Sequence, residues 1–247
     1  MSEDTKTNTV PIMEDNPRVK ALFDAGVHFG YSKSKRHPST RDFIFGLKNR
    51  VEILDLTKVI VKLDEAKAFM ESVGATGRQV LFVSSKGEAE KVIKETAEAL
   101  EMPYVIGRWL GGTLTNLSEL GKRIKRLVDL IGKREKGELS KYTKKERLMI
   151  DREIEKLEEM FGGLLTMRGL PGVIYVIDPK KEKTTIFEAR RLNIPVVALM
   201  NSDNNIKDVD YPIIGNDSVT TSIELVTKEI AESFKIGRGK MVKREEK

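Results

Sequence analysis

Cysteine is absent from the 247 residues, which excludes disulfide scaffolds, thiolate zinc sites and cysteine nucleophiles. Histidine is nearly absent. His28 and His37 form no H-E-x-x-H pattern and no pairing with a carboxylate at ligand spacing, so no metal site is expected. His28, between apolar neighbours in GVHFG, reads as a hydrogen-bonded structural histidine. Aromatic residues make up 6% of the chain, with one tryptophan, so a surface rich in base-stacking rings is not expected. No run approaches the roughly 18 apolar residues that a membrane span needs, and no membrane partner is expected. The N-terminal stretch MSEDTKTNTVPIMEDNP has neither an apolar h-region nor an Arg-rich transit character. A cytoplasmic location is the expectation.

What is present is charge, and it is segregated. Charged residues make up 33% of the chain and apolar residues 39%, with a formal net charge of +6. Residues 33–50 carry +5, residues 108–147 carry +7 and residues 236–247 carry +3, leaving −9 for the remainder. Positive charge gathered in three places on an acidic body suits a polyanion that neutralises Lys and Arg over an extended footprint. A single charge run is as often a solvated face. Three runs favour nucleic acid.

Five compact β-rich runs, QVLFVSS, PYVIG, VIYVID, PVVALM and YPIIG, alternate with helical patterns. Among those patterns are Val59, Leu63, Ala66 and Met70, then Val92, Ile93, Ala97 and Leu100. Buried strands alternating with helices mark βαβ units, so the expectation is a three-layer α/β domain on about five parallel strands. FIFGLKNRVEILD reads as a β-hairpin ahead of it. Residues 1–16 are expected to be a disordered leader, and residues 236–247 a basic disordered tail. The α/β domain itself is expected over 17–115 and 162–235.

Between them, residues 116–161 show no strand signal. Leu117, Leu120, Ile124, Leu127 and Ile131, then Ile150, Ile154, Leu157 and Phe161, follow heptad-type spacing around a polar break. This predicts an inserted antiparallel helical, coiled-coil-like hairpin. The competing arrangement lays both helices on the sheet. Lys122, Arg123, Lys125 and Arg126 favour projection, since a helix lying on a sheet needs a broader apolar face.

A sheet of this kind raises the prospect of a nucleotide-using enzyme, with Ser84–Gly87 or Gly111–Thr113 as the phosphate site. Neither segment carries a glycine fingerprint for pyrophosphate, no nucleophile elbow is present, and Asp178 lacks a partner motif and reads as a turn-forming Asp before Pro179. No catalytic residue and no cofactor are expected. Gly111-Gly112 ahead of a helix is expected to let backbone amides meet an anion. Thr113 or Thr115 is expected to cap that helix, and Trp109 to wedge the base of the hairpin.

Leu22-Phe23-Asp24-Ala25-Gly26-Val27-His28-Phe29-Gly30 and Arg108-Trp109-Leu110-Gly111-Gly112-Thr113-Leu114-Thr115-Asn116 resemble the bacterial small-subunit ribosomal protein S2 family. Phe161-Gly162-Gly163-Leu164, Val176-Ile177-Asp178, Glu188-Ala189, Ile194-Pro195-Val196-Val197 and Gly215-Asn216-Asp217 follow in family order, so the resemblance covers about residues 18–235. It implies a flavodoxin-like (Rossmann-like) sheet with an inserted helical hairpin and no catalysis. It also implies a place in the small subunit of the ribosome, bound to 16S ribosomal RNA. Other small-subunit ribosomal proteins, including the large multi-OB-fold messenger-binding protein, are the implied neighbours, and no homo-oligomer is expected. The chain departs from the family where Tyr31 replaces a His, where Lys35-Arg36-His37-Pro38 replaces a Trp-Asn-Pro, and where Asn201 replaces an Asp. The RNA-binding candidates are Lys33, Lys35, Arg36, His37, Arg41, Lys48 and Arg50 in the first basic run. Arg108, Trp109, Gly111, Gly112, Thr113, Thr115, Asn116, Lys122, Arg123, Lys125 and Arg126 complete the set.

Overall fold

The computed structural model describes residues 16–245; the leader expected over 1–16 lies outside them except for Asn16. Asn16 accepts from the Arg18 amide and caps helix α1 (Pro17–Asp24), which Pro17 opens.

Five strands, β4 (Val80–Ser84), β5 (Tyr104–Ile106), β6 (Val173–Ile177), β7 (Val196–Met200) and β8 (Tyr211–Ile214), form one parallel sheet in the order β5-β4-β6-β7-β8. This is the flavodoxin-like order, and all five are the runs read from the sequence. Every residue of β4, β6 and β7 is buried, as central strands covered on both faces require. The strand period of two splits their side chains between two cores. Val80, Phe82, Tyr175, Ile177, Val197 and Leu199 pack with helices α2 (Leu56–Ala75), α3 (Gly87–Leu100) and α7 (Thr220–Glu245). Leu81, Val83, Ile174, Val176, Ala198 and Met200 pack with α6 (Lys183–Arg191) and with apolar residues of the insertion.

A second sheet, which the sequence pattern does not announce as a sheet, flanks the first. The expected hairpin is there as β2 (Ile44–Lys48) and β3 (Val51–Leu54), and β1 (Phe29–Ser32) adds to β3 to give the antiparallel order β1-β3-β2. β1 carries no alternation that could have announced it. His28 just before it is buried and held by rings, with centroids 4.1 Å from Phe23 and 4.0 Å from Phe29. Its Nδ1 has no hydrogen-bond partner, and burial lowers its pKa against the raising effect of the Phe23 backbone, so the expected structural histidine is held chiefly by stacking between two rings.

The insertion is two helices, α4 (Leu117–Glu135) and α5 (Lys144–Phe161), packed antiparallel on each other. Leu120, Leu127, Ile154 and Phe161 of the heptad seam are buried. Thr143 and Glu146 close a capping box at the start of α5. The seam joins the second core at its base, where Leu114, Leu164 and Phe161 lie.

The basic tail departs from expectation. It is helical through Glu245 as a continuation of α7, which starts at Thr220. The cause is its fit to α2. A Cβ on Gly74 would strike the Phe234 carbonyl, and one on Gly237 would strike the Glu71 carbonyl, so the two helices cross backbone to backbone. Arg238 donates to the Leu100 carbonyl at 2.9 Å and Lys240 bridges to Glu71, so these two tail cations serve the fold. Replacing Gly237 with Val should force the helices apart at a cost of about 1–3 kcal/mol. At roughly 2–4 °C per kcal/mol for a chain of this size, thermal unfolding should shift by several degrees. A melting temperature equal to the parent's would show that the crossing carries no stability.

Candidate nucleic-acid interface

The first basic run is draped over the loop that follows β7. The amide of Tyr31 donates to Ser202 Oγ at 3.0 Å, while the His37 amide and the Thr40 hydroxyl both donate to the Ser202 carbonyl at 2.8 Å. His37 is a local cap, its Nδ1 accepting from the Ser39 amide at 3.2 Å. Arg36 turns inward onto buried Glu52 at 3.0 Å, and the Lys35 ammonium lies 5.5 Å from the Tyr31 ring centre. Lys33, Arg41, Lys48 and Arg50 are exposed and, among the described residues, have no carboxylate partner.

The two-residue turn between β2 and β3 is Asn49-Arg50, with φ of 50° and 66°. Such a tight hairpin turn needs left-handed backbone at both positions and favours Asn-Gly. Arginine in the glycine position is conformationally costly, and it places a guanidinium at the tip.

The second candidate segment, Trp109–Asn116, folds around a group that sequence reasoning left without a role. One oxygen of the Glu188 carboxylate accepts from Trp109 Nε1 at 3.1 Å and from the Gly112 amide at 2.8 Å. The other accepts from the amides of Leu114 and Thr115 at 3.0 and 3.2 Å, and from the Thr115 hydroxyl at 3.3 Å. Gly112, at φ 93°, supplies the backbone conformation that aims its amide there. These amides do meet an anion, but it is the protein's own. Burial alone would raise the Glu188 pKa; the Gly112 amide, the Trp109 indole and the Leu114 and Thr115 amides outweigh it and hold the carboxyl below the usual glutamate range.

The expected threonine cap is replaced as well. Asn116 is the N-cap of α4 and makes no side-chain cap bond, while buried Thr113 donates to the Leu110 carbonyl at 2.6 Å. Trp109 anchors the turn through its indole N–H and packs against the second core. Gly111 and Asn116 remain accessible, lining a hollow of about 410 Å³ with Glu119 and Arg123. Arg108 is exposed beside it.

On the hairpin, the four cations divide. Arg126 forms a fork with Glu153 of α5 at 2.9 and 3.1 Å, and Lys122 bridges Glu119 one turn back at 2.6 Å. Arg123 and Lys125 have no carboxylate partner among the described residues.

Doubly wound folds bind their ligands at the carboxyl ends of strands, where the strand order reverses, here between β4 and β6. In this chain that crevice holds an ion cluster. Lys86, after β4, lies 3.0 Å from Asp178 and 2.7 Å from Asp217, and Asn201 donates to Asp217 at 3.2 Å. All three charged residues are buried. Burial would lower the Lys86 pKa, but the carboxylates of Asp217 and Asp178 outweigh it and keep the ammonium charged. Asp178, which reads from the sequence as an ordinary turn residue, does turn the chain at φ 62° but also carries half of this buried pairing.

A family model described as ribosomal protein S2 matches residues 22–237. A small ribosomal subunit protein uS2 of Roseiflexus castenholzii (strain DSM 13941 / HLO8) is 41% identical over 222 residues, which cover 90% of this chain and 84% of that protein. The protein of the same name from Roseiflexus sp. (strain RS-1) is 42% identical over 215 residues, 87% of this chain and 82% of its own length. That of Salinibacter ruber (strain DSM 13855 / M31) is 39% identical over 230 residues, covering 93% and 72%.

The Glu188 carboxylate sets a pH dependence. Its folded pKa is depressed, so the stability it confers is full above the ordinary glutamate range and is lost as pH falls through that depressed value. In Glu188→Gln the side-chain NH2 faces amides it cannot accept from, which should cost about 1–3 kcal/mol at neutral pH. Chemical denaturation should show parent and variant converging in acid. A constant gap across that range would rule out the carboxylate as the cause.

Proposed function

The chain belongs to the ribosomal protein S2 family, and on that premise we propose that it holds 16S ribosomal RNA with two cationic surfaces at the carboxyl edge of its sheet. In that family the role is that of a structural, non-enzymatic constituent of the small ribosomal subunit, serving translation. One surface is the run Lys33–Arg50, seated on the loop after β7. The other is the base and first helix of the hairpin, which follows β5. Three inter-strand steps separate these strands, roughly 14 Å.

The observation that carries this reading is the gathering of exposed, unpaired cations in these two segments. Lys33, Arg41, Lys48, Arg50, Arg108, Arg123 and Lys125 are exposed without a carboxylate partner among the described residues, while Lys58, Lys62 and Lys67 of α2 are all paired. Unneutralised cations at the surface release the counterions of a polyanion when it binds. Contacts of this kind go to phosphate and sugar and position the RNA rather than read its sequence. Gly111 and Asn116 are placed to admit backbone approach at the hollow beside Arg123. Trp109, Gly112, Thr113 and Thr115 act on RNA indirectly, by shaping that turn around Glu188. Arg36, His37, Lys122 and Arg126 likewise act mainly within the protein.

Affinity for a 16S fragment should fall steeply with salt. Arg123→Gln with Lys125→Gln should flatten the slope by about one unit for each phosphate these cations neutralise. Arg50→Gly should weaken binding too, yet leave the domain at least as stable, because glycine suits the turn. Unchanged slope and affinity in both would refute the RNA role of these surfaces.

The proposal extends to neighbours in the cytoplasmic ribosome. The free edge of β2 exposes Phe45 and Leu47, at 61% and 58%, among unpaired strand groups. Such an edge accepts another protein's extended segment. We assign it to neighbouring small-subunit proteins, the large multi-OB-fold messenger-binding protein first among them. Phe45→Ser with Leu47→Ser should then reduce retention of that protein on purified small subunits while the variant itself incorporates normally. Retention equal to the parent's would overturn the assignment.

A further inference from the structure

The outward face of α6 carries cations and a single aromatic ring, and none of the surfaces described above includes it. Lys183, Phe187, Arg190 and Arg191 lie three to four residues or one residue apart, which places them on one side of the helix. Lys180 and Lys181 precede them. Both acids of this stretch turn inward: Glu188 into the Trp109–Asn116 turn, and Glu182, 3% exposed, onto the Thr185 hydroxyl at 3.1 Å. Phe187 is 67% exposed, the most exposed large apolar side chain among the described residues.

Two of the cations are partly engaged. Lys180 meets Asp203 at 2.8 Å, and Arg190 meets Asp208 at 3.4 Å and the Lys207 carbonyl at 2.7 Å. Lys181, Lys183, Arg191 and the adjacent Lys207 have no carboxylate partner among the described residues.

We propose that this face of α6 binds single-stranded RNA, with Phe187 stacking on one unpaired base and Lys183 and Arg191 holding the phosphates on either side. Charge favours this occupant over a protein. A protein hot spot seats its aromatic anchor within further apolar surface, whereas this ring is bordered by cations. A ring set among lysines and arginines matches a chain that alternates negative phosphates with planar bases. The strand must be unpaired, because in an A-form duplex the faces of the bases are already stacked and closed to a side chain. Lys183 and Arg191 stand about 12 Å apart along the helix axis, which brackets a nucleotide centred on Phe187.

The inference rests on the reading of the chain as an RNA-binding component and adds to it a demand for an unpaired base. The full chain can be titrated with two fluorescein-labelled probes of equal phosphate count, a single-stranded oligoadenylate and a blunt-ended RNA duplex. Phe187→Leu, at an exposed position, should keep the fold and lower oligoadenylate affinity by roughly five- to a hundredfold. Its affinity for the duplex should equal the parent's, and Phe187→Trp should restore oligoadenylate binding. Lys183→Gln with Arg191→Gln should flatten the oligoadenylate salt slope by about 0.7 for each phosphate these two cations hold. Equal oligoadenylate affinity in Phe187→Leu and parent, or an equal loss on both probes, would overturn the proposal. So would failure of the parent to bind oligoadenylate at all. If Arg123→Gln with Lys125→Gln weakens the 16S fragment while Phe187→Leu changes nothing, the α6 proposal alone falls and the earlier reading stands.

Discussion

A single carboxylate organises the side of the molecule from which the helical hairpin leaves the sheet. Glu188 lies on the inward face of α6, where an ionised group is tolerated only if donors surround it. The turn from Trp109 to Thr115 supplies them, and in doing so it fixes the point at which α4 leaves the sheet. Without the carboxylate, the three backbone amides and the indole would be donors without an acceptor. The hairpin's direction is therefore tied to α6, and α6 is tied to the sheet through Ile186 and Ala189. A helix that shows cations to solvent holds, by its opposite face, the base of the other cationic element.

The same arrangement explains what was legible in the sequence. The five strands could be read because each is a short β-rich run, and the central three are buried on both faces, which leaves little else such a run could be. The hairpin could be read because its apolar seam is narrow. β1 could not, since its four residues, FGYS, alternate nothing and depend on β3 for their partner. The continuation of α7 could not be read because its signal is a close crossing at two glycines far apart in the chain, Gly74 and Gly237, and glycine in a helix ordinarily argues against one.

The site was half legible, and for a related reason. Charge runs show in a sequence, but pairing does not. Counting charges treats Glu182 and Glu188 as though they offset the neighbouring lysines, whereas both are buried and the face of α6 is left cationic. In the opposite direction, Arg36 and Arg126 count toward a basic surface but are bound to Glu52 and Glu153. The glycines of GGTLTN read as a place for a phosphate, and the anion that the Gly112 amide meets is a carboxylate. They could not indicate that the anion comes from residue 188 of the same chain. At Lys86, in the fold's customary ligand crevice, the charge is likewise met from within, by Asp178 and Asp217.

The crossing of α2 and α7 bears on how the chain reaches this structure as it is synthesised. α2 ends at Ala75, yet its most extensive partner is α7, which begins at Thr220. Between them the ribosome must make the whole of the hairpin and all five parallel strands. During that interval the apolar stripe of α2, from Val59 through Met70, has no final cover. Non-local closure of this kind makes folding slow and leaves intermediates open to association. The hairpin, whose two helices are neighbours in sequence and cover each other, can form early. Chain order therefore makes the whole arm available before the body that aims it can close.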